Sequence, residues 1–376
     1  MKKVLWVSTC LLWAFPVLAF DTDAEYALLM DADTGYVMLD KKADVRMAPA
    51  SMSKLMTAYM VFEALKNGQI SLDDEFVVSE NAWRKGGAKS GSSTMFLNPG
   101  QKVKVGDLIR GVIVQSGNDA CITLAENMAG SEEVFADMMT EKAKELGLKS
   151  AVFKNSTGLP HPEHKMSSMD LALLAQAIIR DFPDRYPIYS EKEFKFNGIR
   201  QENRNPLLNG VKGADGLKTG HTKESGYGLT GSVVTPDGRR LIMVLNGLKT
   251  MASRSAESKK VTGWGASAFE NITLFSAGSP VLEIPVWLGE KKTVSATVEE
   301  TKIITLMKGK RSKVRTIARF DTPVIAPVEK GQKLGEITVL IPGEDQMILN
   351  LVAGESVQKV GYFGKVKAVI QSWFKS

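Results

Sequence analysis

Pro49-Ala-Ser-Met-Ser-Lys-Leu-Met-Thr57 is the stretch from which the rest of the chain is read. Ser51 and Lys54 stand three residues apart at the head of a segment in which Met52, Leu55, Met56, Tyr59 and Met60 recur at helical spacing, up to a stop at Asn67-Gly68. The spacing predicts a helix over 51–65 with Lys54 one turn from Ser51 on the same side. A hydroxyl with an amine one turn away is a candidate nucleophile and base, and the helix N-terminus offers a backbone N–H to a developing oxyanion. An ordinary lysine serves badly: at a pKa near 10.4 only about one in 2,500 is neutral at pH 7, a handicap of about 4.6 kcal/mol. The reading therefore requires burial, the helix N-terminus or a second cation to pull the Lys54 pKa down.

Two further short motifs follow in the chain. Ser116-Gly-Asn118 falls in a break between helical stretches, and Lys218-Thr-Gly220 opens a strand region. Ser356-Val-Gln-Lys359, Ser372-Trp-Phe-Lys375 and Ser79-Glu-Asn81 repeat the letters without that context. Around the motifs, Tyr26 to Leu39 reads as a hairpin turning at Asp33-Thr-Gly35, and 107–183 is mostly of helical period. Ser167-x-x-Asp170 boxes the start of the run Leu171 to Ile179. Strands are predicted at 227–234 and 241–246 and a helix at 253–269, with a Gly- and Ser-rich loop over 81–99. This is an α+β layout: a mostly antiparallel sheet flanked by helices, with a helical insert.

Past Pro280 the chain becomes rich in Val, Ile and Thr with closely spaced turns, which predicts a small all-β domain over 279–360 after a first domain over 20–278. Residues 1–19 have the basic, apolar and small-residue order of a signal peptide, ending at Val17-Leu-Ala19. Residues 361–376 read as an amphipathic helix. At about 100° per residue, Tyr362, Phe363, Val366, Val369, Ile370, Trp373 and Phe374 fall within about 140° of arc, with Lys365, Lys367 and Lys375 elsewhere. Such a helix is too short to span a bilayer and suits the surface of an anionic membrane.

Composition narrows the field. With 376 residues, 44% apolar and 24% charged, the chain is an ordinary globular one rather than disordered or collagenous. A mean hydropathy of −0.08 excludes a polytopic membrane protein. The net charge of +6 is scattered, which argues against nucleic acid as a partner. Three histidines and two cysteines without ligand spacing leave no expected metal or cofactor. Cys10 lies in the leader, and Cys121, in an apolar helical stretch, is a core residue with no partner for a disulfide.

In this order and context the motifs resemble the penicillin-recognising serine enzymes, and among them the low-molecular-mass penicillin-binding proteins of the D-Ala-D-Ala carboxypeptidase type. Pro49 to Thr57, Gln115 to Cys121, Asp215 to Thr222, Ala256 to Lys260, the β-domain and the tail all share in the likeness. The resemblance implies a serine transpeptidase/β-lactamase-like domain and removal of the last D-alanine from peptidoglycan stem peptides through an acyl-enzyme, with β-lactams as covalent inhibitors. It implies a part in peptidoglycan biosynthesis and cell shape, on the periplasmic face of the inner membrane.

The site follows residue by residue. Ser51 is the nucleophile, Lys54 the base, and Ser116 a proton relay to the leaving amine. Asn118 offers its carboxamide to the substrate amide, while Lys218 and Thr219 hold a terminal carboxylate by charge and by hydroxyl. Gly220 lets the substrate lie alongside as an added strand. The family pattern assigns a second oxyanion N–H to His221, and the resemblance adds Arg204 and Arg254 on the carboxylate side. The alternative is a class A-like β-lactamase, which needs a deacylating glutamate; the comparable stretch 158–165 offers Glu163 without a matching Glu-x-x-x-Asn.

Overall fold

The computed structural model describes residues 20–361. The leader 1–19 and the tail 362–376 lie outside the described residues, and with them the signal-peptide and amphipathic-helix expectations. The chain opens with β1 (Tyr26–Asp31) and β2 (Val37–Lys41), a hairpin as predicted, and enters α1 (Lys54–Lys66) through the 3-10 turn Ala50–Ser53. A mostly helical region follows: β3 (Glu75–Val77), α2 (Glu80–Gly86), β4 (Lys102–Lys104), α3 (Val105–Arg110), α4 (Asn118–Ala129), α5 (Glu132–Glu145) and α6 (Ser168–Asp181). After the small hairpin β5 (Glu193–Phe196) and β6 (Ile199–Glu202) come the long strands β7 (Ala214–Thr222), β8 (Gly226–Val234) and β9 (Arg240–Leu248), then α7 (Met251–Ala268).

One antiparallel sheet, in the order β2-β1-β9-β8-β7, divides this domain. Both faces are buried, so β1 and β9 carry continuous apolar runs, Ala27 to Met30 and Leu241 to Leu245, rather than alternating ones. Leu28 and Met30 of β1, with Ile242 and Val244 of β9, face the helical core. Ala27, Leu29, Leu241, Met243 and Leu245 face the other way, where Val261 of α7 joins them. The strand that carries Lys218-Thr-Gly220 is the sheet's open edge, where a ligand backbone has unpaired groups to meet.

Several local expectations change. The predicted amphipathic helix at 51–65 is not amphipathic: every α1 residue from Lys54 to Phe62 is buried, because the helix runs through the centre of the domain. The helical reading of 107–183 breaks over 146–167, which holds no helix. The predicted loop at 81–99 begins instead with α2, whose N-cap is Ser79, its side chain accepting from the Ala82 N–H. Ser79-Glu-Asn81 is thus a cap rather than a reactive motif. The capping box on α6 forms as read, and α7 carries one the sequence reading passed over, Thr250 with Ser253.

Past α7 the chain is nearly all strand: β10 (Phe269–Phe275), β11 (Leu282–Trp287), β12 (Thr293–Thr297), β13 (Lys302–Met307), β14 (Arg315–Phe320), β15 (Val324–Ile325), β16 (Lys333–Leu340) and β17 (Met347–Ala353). Six of these strands form the sheet β14-β16-β17-β12-β11-β15, while β10 and β13 pair separately at the junction of the two domains. There the Asn271 amide donates to Asp31 (3.0 Å), and the Thr305 hydroxyl donates to the Asn271 carbonyl oxygen (2.7 Å) and meets Thr34 at 2.5 Å.

Candidate active site

Ser51 lies in the 3-10 turn ahead of α1, not in the first turn of the α-helix itself. Ala50 before it has φ +49°, and Ser116 has φ +60°; both are left-handed conformations that non-glycine residues adopt at a cost of about 1–3 kcal/mol. Ser116 follows a π-helical stretch, Gly111–Gln115, that ends α3 and turns the chain toward the cleft. Each of these serines is held by a lysine. Lys54 Nζ donates to Ser51 Oγ at 2.9 Å, and Lys218 Nζ donates to Ser116 Oγ at 2.9 Å.

Both lysines are buried, at 1% and 3% exposure, and neither faces a carboxylate in an ion pair among the described residues. Burial therefore pulls the Lys54 pKa down to about 8, with Arg204 adding to the effect and Glu132 and Asp119 opposing it. Lys218 is driven well below the ordinary lysine value, chiefly by burial and then by the nearby Lys54 and Arg204 charges. Lys54 has a second anchor, the Thr157 carbonyl at 2.5 Å. The turn that presents this carbonyl is built from Asn155, whose side-chain oxygen accepts from the N–H groups of Thr157 and Gly158. Glu132 accepts from the N–H and hydroxyl of Ser156, and Thr57 on α1 donates to the Ser156 carbonyl. Gly158, with φ +76°, lies so close that a Cβ there would stand 2.0 Å from the Ala50 carbonyl oxygen.

A cavity of about 250 Å³ opens beside Ser51 and Ser116, walled by Thr219, Gly220 and His221 of β7 and by Arg204 and Arg254. Arg254 is buried, stands 5.6 Å from the Tyr227 ring centroid, and keeps an Nε with no hydrogen-bond partner among the described residues; burial pulls its pKa down to about 10. Arg204 is exposed over part of its surface; it donates to Ser93 at 2.5 Å, and the desolvation of its inner side lowers its pKa. A buried guanidinium and a more exposed one beside a threonine hydroxyl have the charge and the donors to hold a carboxylate. Asn118 donates to Ser92 at 2.8 Å, while its Oδ1 is buried with no partner among the described residues, an acceptor suited to an amide N–H.

Of the ten residues singled out in the sequence, seven line the cavity, Lys54 and Lys218 stand behind its two serines, and Asn118 lies against Ser92 and Ser93; two of the ten have different surroundings from those expected. Lys218 points to Ser116 rather than lining the cavity with Thr219. Gly220 is required by the approach of the Ser51 turn, since a Cβ would lie 2.9 Å from the Pro49 carbonyl oxygen. Glu163 pairs with Lys154 at 3.3 Å, with its side chain 68% exposed, and lies outside the cavity lining. Cys121 is fully buried, and burial pushes its thiol up to about 12.

The sequence reading missed the Thr157 carbonyl, Ser93, and Asp119, which accepts from the N–H groups of Met95 and Leu97 and so ties the wall beside Ser93 to α4. The available signals were the Asn155-x-x-Gly158 turn and an acid in the first turn of α4.

Residues 14–250 match the D-alanyl-D-alanine carboxypeptidase family of S11 peptidases, and residues 269–359 match the C-terminal domain of penicillin-binding protein 5. The chain is 38% identical to the D-alanyl-D-alanine carboxypeptidase DacA of Escherichia coli K12 over 359 residues, 94% of this chain and 89% of that one. It is 40% identical to DacC of the same strain over 367 residues, 96% and 92% of the two chains. Among solved structures, penicillin-binding protein 5 from Haemophilus influenzae superposes with a TM-score of 0.79 at 39% identity, over 91% of this chain and all of that one.

Proposed function

The chain belongs to the S11 family of D-alanyl-D-alanine carboxypeptidases, and on that premise we propose how its own residues carry the reaction. It is a serine hydrolase that removes the terminal D-alanine from D-Ala-D-Ala peptides, the activity of its curated relatives. Its substrates are peptidoglycan stem peptides, and β-lactams bind it.

Neutral Lys54 takes the Ser51 proton as Ser51 Oγ attacks the carbonyl of the penultimate D-alanine. The oxyanion is received by the N–H groups of Ser51 and His221. Ser116, held by Lys218, hands its proton to the leaving amine as the C–N bond breaks and takes in exchange the proton that Lys54 drew from Ser51, which leaves Lys54 neutral again. Thr219, Arg204 and Arg254 hold the carboxylate of the departing D-alanine, and Asn118 accepts from the substrate amide. Neutral Lys54 then takes a proton from the water that attacks the acyl ester, and gives it to Ser51 Oγ as the bond between Oγ and the acyl carbon breaks. The single observation that supports these roles best is the pairing of two buried lysines with two serines across one cleft.

A β-lactamase reading is weaker, because exposed Glu163 is not placed to activate a deacylating water. The test uses a stem pentapeptide and a fluorescent penicillin side by side. Release of D-alanine should far outpace penicillin turnover, and Ser51→Ala should abolish labelling. Penicillin turnover faster than D-alanine release favours the lactamase, and labelling that survives in Ser51→Ala moves the nucleophile elsewhere.

No described helix is long and apolar enough to cross a membrane. We further propose, from the sequence, that 1–19 is removed on export and that 361–376 holds the periplasmic enzyme reversibly on the anionic inner-membrane surface. The division into domains at 278/279 is likewise a proposal, and it leaves β10 in the first domain although its partner β13 is in the second.

A further inference from the structure

Beyond the catalytic cavity lies a larger one, about 630 Å³, that none of the roles above uses. The two share His221 and Tyr227, whose stacked rings (centroids 3.9 Å apart) form the wall between them. We propose that this second cavity is a subsite for carboxylate groups carried by the peptide upstream of the scissile bond. The proposal rests on the carboxypeptidase reading, which sets the direction of the bound peptide.

If the terminal carboxylate is held by Thr219, Arg204 and Arg254 and the scissile carbonyl stands at Ser51, the rest of the peptide must lead away from Thr219. Along the open edge of β7 that path runs past Gly220 and His221 to Thr222, which lines the second cavity. The charges there are unbalanced. Both acids in the lining are already engaged, Glu25 with Lys42 at 3.4 Å and Glu224 with Lys165 at 2.8 Å. Arg46, Lys223 and Lys249 also line it, are exposed, and form no ion pair among the described residues. Three unneutralised cations around a concavity attract an anion more than any one alone would. Because they are wet, their effect should be modest and screened by salt. Stem peptides supply the matching group, since a γ-linked glutamate upstream of the D-Ala-D-Ala end keeps a free carboxylate.

The test compares L-Ala-γ-D-Glu-L-Lys-D-Ala-D-Ala with the same peptide amidated at the glutamate carboxylate, using the full chain. At low salt the free acid should have the higher kcat/KM, by about fivefold, through KM rather than kcat. That advantage should shrink in high salt and vanish in the triple variant Arg46→Gln, Lys223→Gln, Lys249→Gln. Acylation by benzylpenicillin should be unchanged in the triple variant, showing an intact catalytic cleft. Should the triple variant fail to fold, Arg46→Gln and Lys223→Gln singly are each expected to lose part of the advantage. Equal kcat/KM for the two peptides in the unmodified protein, or an advantage that survives every one of these variants, overturns the subsite. Release of D-alanine from neither peptide, with benzylpenicillin still acylating Ser51, is a different result: it overturns the carboxypeptidase reading and the subsite with it.

Discussion

A lysine becomes a base at neutral pH only where its charged form is poorly solvated, and Lys54 meets that condition by burial. With a pKa of about 8, about one molecule in ten carries neutral Lys54 at pH 7, against about one in 2,500 for an ordinary lysine. Acylation by a fluorescent penicillin should therefore climb with pH along a limb centred near 8, and Lys54→Ala should lose that limb along with at least about a hundredfold in rate. A rate flat from pH 6 to 10 would remove Lys54 from the role of base. The same shift has a consequence for stability. The unfolded chain binds the Lys54 proton more tightly than the folded one, so this residue's contribution rises with pH between about 8 and 10.5 and is lost as pH falls through 8.

Among the elements, the turn 155–158 decides how well Lys54 is held. It has no regular secondary structure, yet it supplies the Thr157 carbonyl to Lys54 and the Ser156 carbonyl to Thr57. Gly158 permits this by its positive φ and by the absence of a side chain against Ala50. Gly158→Ala must push the turn off the serine loop. We expect a loss of about 2–4 kcal/mol in stability, seen as a lower Tm, together with slower penicillin acylation. Unchanged Tm and unchanged acylation in that variant would show that the turn is not coupled to Ser51. The Asn155 and Gly158 pattern was present in the sequence as turn chemistry. Its target was not, because the turn meets α1 across about a hundred residues of chain.

For the whole molecule, the question is how an edge-strand active site is held near its polymeric substrate. The β-domain is joined to the catalytic domain through the Asp31–Asn271–Thr305–Thr34 chain of hydrogen bonds, and the chain leaves that domain beside Leu288, whose carbonyl accepts from the Val360 N–H. A tail anchored on a membrane would then act on the catalytic domain only through the β-domain. Deleting 362–376 should abolish sedimentation with anionic vesicles while leaving D-alanine release from soluble pentapeptide unchanged. Vesicle binding that persists in the truncated protein would place the anchor elsewhere.

Local chemistry was legible in the sequence because it depends on neighbours a few residues apart. The Ser51–Lys54 spacing, the first hairpin, the box at Ser167 and Asp170 and the change to all-β texture past Pro280 are all of this kind. What the tertiary structure decided is what long-range packing alone can set. It buried α1 on every side and thereby lowered the Lys54 pKa. It turned Lys218 onto Ser116, 102 residues away, and aligned Arg204 and Arg254 on one wall. It also left Arg46, Lys223 and Lys249 without an ion-pair partner among the described residues around a second cavity. Desolvation and charge convergence are properties of the volume around a group, and residues distant in the chain fill that volume.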